Sequence, residues 1–218
     1  MKVGTDGILL GAWADISGAD TILDIGTGTG LIALMMAQRS DANITGIEIE
    51  KNAAEEALKN FTDSVWSNRL TILNISLQEF VKLNRPPFDL IVTNPPYFNK
   101  NQKSRCKYMA IARHNDLLPF PFLAGSVAEL LTPKGKLTII LPAEPAWKFI
   151  EIAAGEGLSL SRLTEIKTKS RKKINRLMME FTKNKTTCQK DHLVIHTDDS
   201  KDYTNEYKEL TKEFYLNF

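Results

Sequence analysis

Thr21-Ile22-Leu23-Asp24-Ile25-Gly26-Thr27-Gly28-Thr29-Gly30 decides the fold of this 218-residue chain. Thr21–Ile25, aliphatic and β-branched, reads as a buried strand, and Gly30 to Arg39, rich in Leu, Met and Ala, reads as a helix. The glycines between them let the backbone turn sharply and approach a ligand, and the helix start offers free N–H groups. A phosphate-binding P-loop would carry Gly-Lys followed by Ser or Thr, where this chain has Leu31-Ile32. A dinucleotide fingerprint G-x-G-x-x-G would need Gly or Ala at Leu31; here the third glycine comes one residue early, and Asp24 stands just before the loop.

The pattern continues outward. Asn43–Ile49, Leu70–Ile75, Phe88–Thr93 and Lys136–Leu141 read as further strands, with helices at Asn52–Phe61 and Phe120–Leu131. Strands alternating with helices predict a doubly wound α/β fold with a mostly parallel sheet, whose ligand site lies at the carboxyl ends of the strands. Beyond Glu144 the texture changes. Ala146–Ala154 is helix-like, and Leu158–Thr168 and Asn175–Thr182 read as an antiparallel pair across Lys169-Ser170-Arg171-Lys172-Lys173. That pair is expected to close one edge of a seven-stranded sheet as a C-terminal hairpin. His192–His196 is a candidate short strand and Asn205–Phe214 a closing helix. With no repeat, low-complexity tract or Gly/Ser linker, residues 1–218 read as one domain, of which 155–218 supplies the late strands and helix.

Composition is that of an ordinary globular chain, 43% apolar and 25% charged, which excludes disorder and coiled coil. Cys106 and Cys188 make neither a disulfide framework nor a metal-ligand cluster. The run Ile8–Ala14 is too short for a signal peptide or a membrane span. A metal-free, cytoplasmic monomer is the expectation.

Asp24 and the glycine spacing resemble the cofactor loop of S-adenosylmethionine-dependent methyltransferases of the Rossmann-like class. The resemblance implies that Gly26, Gly28 and Gly30 pass under the methionine part, with Asp24 near it. Glu48 ends the second predicted strand, where a carboxylate can accept the hydrogens of both ribose hydroxyls. Glu50 is the rival; Glu48, at the strand end, is preferred.

Asn94-Pro95-Pro96-Tyr97 follows the apolar strand Phe88–Thr93. Two prolines stiffen the turn and remove two donors, leaving carbonyls to point outward. An amine attached to an aromatic ring is a poor nucleophile because its lone pair is delocalised. The Asn94 side-chain oxygen and the Pro95 carbonyl can each accept one of its N–H groups, holding the nitrogen in a near-attack geometry. Pro96 fixes the turn, and Tyr97 offers a face on which an unstacked base can lie.

Met1–Gly7 with Leu10-Gly11-Ala12-Trp13, the glycine loop, Asn94-Pro95-Pro96-Tyr97-Phe98, Ala112-Arg113-His114, Leu137–Pro142 and Tyr203–Phe218 together resemble the bacterial tRNA1(Val) adenine-37 N6-methyltransferases. The resemblance covers nearly the whole chain. It implies methyl transfer from S-adenosylmethionine to the N6 amine of an adenine beside the tRNA anticodon. It also implies a cofactor-covering segment over 1–19, with contacts from Lys2, Thr5 and Asp6, and a further stretch ahead of it in family members. An acid often follows the third strand to meet the cofactor's adenine amine; here Ser76 stands in that place, with Gln78 as a neighbour. The alternative substrate is a glutamine amide of a translation factor, because the same turn serves an amide nitrogen. Enzymes of that kind carry an N-terminal helical domain that this chain lacks. A cofactor- and RNA-binding protein without catalysis is a third reading.

The net charge of +2 conceals an asymmetry. Arg162 to Lys190 carries ten Lys/Arg against two Glu, and Asn99 to Asp116 five against one acid, so the remainder is strongly acidic. Lys100, Lys103, Arg105, Lys107 and Arg113 follow the Asn94 turn, and Arg171, Lys172, Lys173 and Arg176 belong to the late hairpin. Both groups are expected to contact RNA phosphates, which position a nucleic acid without reading its sequence.

Overall fold

The computed structural model describes residues 4–96, 118–200 and 202–215. Helix α1 (Thr5–Trp13) precedes strand β1 (Thr21–Ile25), helix α2 (Leu31–Arg39), strand β2 (Asn43–Ile47), helix α3 (Lys51–Thr62), strand β3 (Leu70–Leu73), helix α4 (Leu77–Val81) and strand β4 (Phe88–Thr93). After the Asn94 turn come helix α5 (Phe120–Leu130), strand β5 (Leu131–Pro142), helix α6 (Ala143–Gly155), strands β6 (Ser159–Lys167), β7 (Ile174–Thr182) and β8 (Gln189–Val194), and helix α7 (Asn205–Thr211).

The strands form one sheet in the order β3-β2-β1-β4-β5-β7-β6-β8. The five strands from β3 to β5 are mutually parallel, β7 is antiparallel to both β5 and β6, and β8 is parallel to β6. Apolar strands covered on both faces explain this arrangement: Leu90, Ile91 and Val92 of β4 are all at most 1% exposed. Helices α4, α5 and α6 supply Phe80, Leu123, Val127 and Phe149 to the core on one face. Helices α1, α2 and α7 supply Leu9, Met36 and Tyr207 to the core on the other.

Three sequence expectations are corrected. The sheet has eight strands rather than seven. The β6–β7 hairpin does not close the edge, because β7 inserts between β5 and β6 and leaves β8 outermost. The strand begins at Gln189, ahead of the His192–His196 candidate; Gln189-Lys190-Asp191-His192 is exposed and polar, as suits an edge strand that must not pair with another chain. The run Ile8–Ala14, read only as too short for a membrane span, lies mostly within α1. That helix is buried on nearly every side, with Leu9 and Leu10 inaccessible, so its sequence carries no amphipathic period.

The topology puts two sequence features at one end. Thr93, last of β4, is level with Ile139 of β5, and Pro142 of β5 is level with Arg176 of β7. The basic turn between β6 and β7 therefore projects from the same end of the sheet as Asn94.

Candidate active site

Gly26, Gly28 and Gly30 have φ of +70°, +59° and +87°, left-handed values that a side chain would strain. The loop is pinned from below, where the amides of Gly26 and Thr27 both donate to the Ile47 carbonyl, at 2.9 and 3.1 Å. Gly30 caps α2, and a Cβ there would lie 2.4 Å from Phe61 Cε1. Above Gly26, by contrast, a Cβ would meet nothing within 4 Å. The loop thus packs tightly at its helix end and presents open backbone at its strand end.

Two acids frame it. Asp24 is inaccessible; its Oδ2 accepts from Thr27 Oγ1 at 2.6 Å, while its Oδ1 is buried without a partner. Burial pushes the Asp24 carboxyl up to about 7, the Thr27 hydrogen bond and the nearby Ala33 amide oppose the rise, and the Glu48 charge adds to it. Glu48 is half-buried, with Oε2 accepting the Gly28 amide at 2.9 Å and Oε1 the Glu50 amide at 2.8 Å. The rival Glu50 instead caps α3, accepting from the amides of Asn52 and Ala53. These features fit S-adenosylmethionine: open glycine backbone, a carboxylate oriented at the end of β2, and a buried acid beside the loop.

Beside the loop stands the Asn94 turn. Ile25 and Thr93 are the last register pair of β1 and β4, so Gly26 and Asn94 leave adjacent strand ends, whose spacing is about 4.8 Å. Asn94 is half-buried, Pro95 buried and Pro96 exposed.

Other expected contact residues are engaged within the protein or exposed. Ser76 caps α4 in a reciprocal capping box: its hydroxyl donates to Glu79 Oε2 at 2.7 Å and accepts from the Glu79 amide at 3.2 Å. Gln78 is exposed on the first turn of α4. Thr5 is exposed at the start of α1, whereas Asp6 accepts from Arg176 Nε at 2.9 Å. One residue expected at cofactor and one expected at RNA are therefore each other's ion-pair partners. Arg171 is also engaged, its guanidinium donating to the Asp198 carbonyl at 2.9 Å. Lys172 and Lys173 are exposed. Lys2, Tyr97, Lys100, Lys103, Arg105, Lys107 and Arg113 lie outside the described residues.

Two supporting residues escaped the sequence reading. Gly46 of β2 leaves room for the loop, since a Cβ there would lie 2.9 Å from Thr27 Cγ2. Asn74 Nδ2 donates to the carbonyls of Glu48 and Ile49, at 2.8 and 3.2 Å, which fixes the strand end that carries Glu48. A lone Gly inside a strand was the available signal for the first; nothing local marks the second.

Residues 7–148 match the model of the methyltransferase small domain family. A tRNA1(Val) (adenine(37)-N6)-methyltransferase of Phocaeicola vulgatus is 46% identical over 218 residues, covering all of this chain and 92% of that one. The chain belongs to this family. Its relative of the same description in Trichodesmium erythraeum is 43% identical, covering 100% of this chain and 92% of the relative. Among solved structures, a predicted O-methyltransferase of Agrobacterium tumefaciens superposes with a TM-score of 0.74 at 20% identity, over 95% of this chain and 96% of that one. A glycopeptide N-methyltransferase in complex with S-adenosyl-L-methionine superposes at 0.61 with 13% identity, over 84% and 90%. At such identities the likeness is one of fold. Among the described residues no cluster of His, Cys, Asp or Glu could hold a metal ion, and no helix is long and apolar enough to cross a membrane.

Proposed function

We propose that this chain transfers the methyl group of S-adenosylmethionine to the N6 amine of an adenine in tRNA, at position 37 of the anticodon region of tRNA1(Val). The carrying observation is the Ile25–Thr93 register pair, which sets the glycine loop and the Asn94 turn side by side at the carboxyl end of the sheet. Membership of the family supplies the substrate. When bound, the cofactor supplies a methyl on a sulfonium that departs as a neutral thioether, so no strong general base is needed.

The chain's own residues do the rest. Glu48, oriented by the amides of Gly28 and Glu50, accepts the ribose hydroxyls on its remaining lone pairs. The buried Asp24 carboxyl, its Oδ1 without a hydrogen-bond partner, would supply negative charge near the cationic methionine part. The Asn94 side-chain oxygen and the Pro95 carbonyl accept the two N–H groups of the amine and aim its lone pair at the methyl. Tyr97 stacks on the extruded base. The exposed Lys172 and Lys173, at the same end of the sheet, hold flanking phosphates. We read this chain as a monomer that works where tRNA is, in the cytoplasm.

Purified protein, labelled S-adenosylmethionine and tRNA lacking the modification provide the test. Label in N6-methyladenosine at position 37 is expected. Label in a release factor glutamine and none in tRNA would overturn the assignment.

A further inference from the structure

Thr93 is the last residue of β4 and is inaccessible to solvent. Its hydroxyl donates to the Ile25 carbonyl of β1 at 2.8 Å. This side-chain bond falls on the final register pair of the two strands. Immediately beyond it one chain enters the glycine loop through Gly26, at φ +70°, and the other enters Asn94-Pro95-Pro96. Pro95 and Pro96 carry no N–H, so those two residues cannot donate to a neighbouring strand. The hydroxyl therefore ties the two backbones together at the place where ordinary ladder bonding gives out.

We propose that Thr93 is a positioning residue for methyl transfer: its buried hydroxyl, held by the Ile25 carbonyl, fixes the height of the Asn94 turn relative to the cofactor loop. The inference rests on the reading of Asn94 as the group that orients the amine. Methyl transfer needs the acceptor nitrogen in line with the methyl, and small misplacements of positioned groups are costly. Neither binding site contains Thr93, so its contribution falls on the chemical step and spares affinity. The side chain could have been valine for packing alone; β4 already holds Val92 in an equally buried position. Among the described residues, the Ile25 carbonyl is what satisfies a hydroxyl there.

The test compares Thr93→Val, which preserves shape and removes the donor, with Thr93→Ser, which keeps the donor and removes a methyl. Asn94→Ala is the control for the underlying reading. For each, single-turnover rate, KM for tRNA and calorimetric Kd for S-adenosylhomocysteine are measured on the full chain. Thr93→Val is expected to lower the single-turnover rate about ten- to a hundredfold. Its Kd and KM should stay within about twofold of the parent, and Thr93→Ser should recover most of the rate. A parental rate for Thr93→Val overturns the proposal. So does a loss shared equally by both Thr93 variants and by cofactor affinity, which marks a packing role. If Asn94→Ala itself turns over normally, the Asn94 reading falls and the proposal with it. If Asn94→Ala is slow while Thr93→Val is not, only the positioning role is lost.

Discussion

The Gly28 amide donates to Glu48 Oε2 at 2.9 Å, joining the middle of the glycine loop to the end of the neighbouring strand. The carboxylate is thereby oriented before any ligand arrives. Glu48→Gln keeps the shape and removes the charge, and Glu48→Ala removes both. Hydrogen bonds to charged groups are worth about 1.5–3 kcal/mol. Titration calorimetry with S-adenosylhomocysteine should accordingly show Kd raised about ten- to a hundredfold in Glu48→Ala, with a smaller rise in Glu48→Gln. Unchanged affinity in both would remove Glu48 from the ribose site.

Asp24 makes folding stability depend on pH with an unusual sign for a carboxylate. Its folded pKa, about 7, lies above the ordinary value of 3.8, so the folded chain holds the proton more tightly than the unfolded one. The resulting stabilisation is complete below the unfolded pKa and is lost as pH rises through about 7. Urea unfolding of the unliganded protein, compared with Asp24→Asn between pH 4 and 8, should show the parent losing ground to the variant as pH rises. A constant difference across that range would place the carboxyl at its ordinary value.

Gly30→Ala meets two obstacles, the backbone at φ +87° and the Phe61 ring at 2.4 Å. The left-handed conformation costs about 1–2 kcal/mol for a non-glycine residue, and overpacking adds about 1–3 kcal/mol. Thermal or urea melts should report a loss of about 2–5 kcal/mol. Adding Phe61→Leu should recover only the steric part. Full recovery would mean that the conformation carries no penalty.

Lys172→Ala with Lys173→Ala should lower the slope of log K against log salt for tRNA binding by about 1.4 to 1.8, two phosphate contacts being lost. Methyl transfer at saturating tRNA should be preserved. An unchanged slope would move the RNA surface away from the hairpin turn.

Local chemistry made much of this molecule legible. The glycine loop, the alternation of strands and helices and the Asn94 turn announce themselves because each obeys a short-range rule of backbone geometry or periodicity. Features that depend on remote partners did not. The Asp6–Arg176 ion pair has no sequence signature, because 170 residues separate two charges that meet only after folding. The Ser76 capping box, by contrast, is local: Glu79 stands three residues on and is visible in the sequence. Asn74 left no local trace, since its bonds go to the backbone of a strand end 25 and 26 residues earlier. Helix α1 gave no periodic signal because it is covered on nearly all sides.

Helix α1 is clasped by partners that lie far along the chain. Trp13 donates to Thr164 Oγ1 at 2.9 Å, Arg162 lies over the Trp13 ring at 3.7 Å, and Asp6 holds Arg176. These partners lie 149 to 170 residues further along the chain. At about 5–20 residues per second, synthesis leaves α1 without these partners for about seven to thirty seconds. During that interval Leu9 and Leu10 can already pack against Ile32 and Met36 of α2, so α1 docks in two steps, its apolar face early and its polar clasp late.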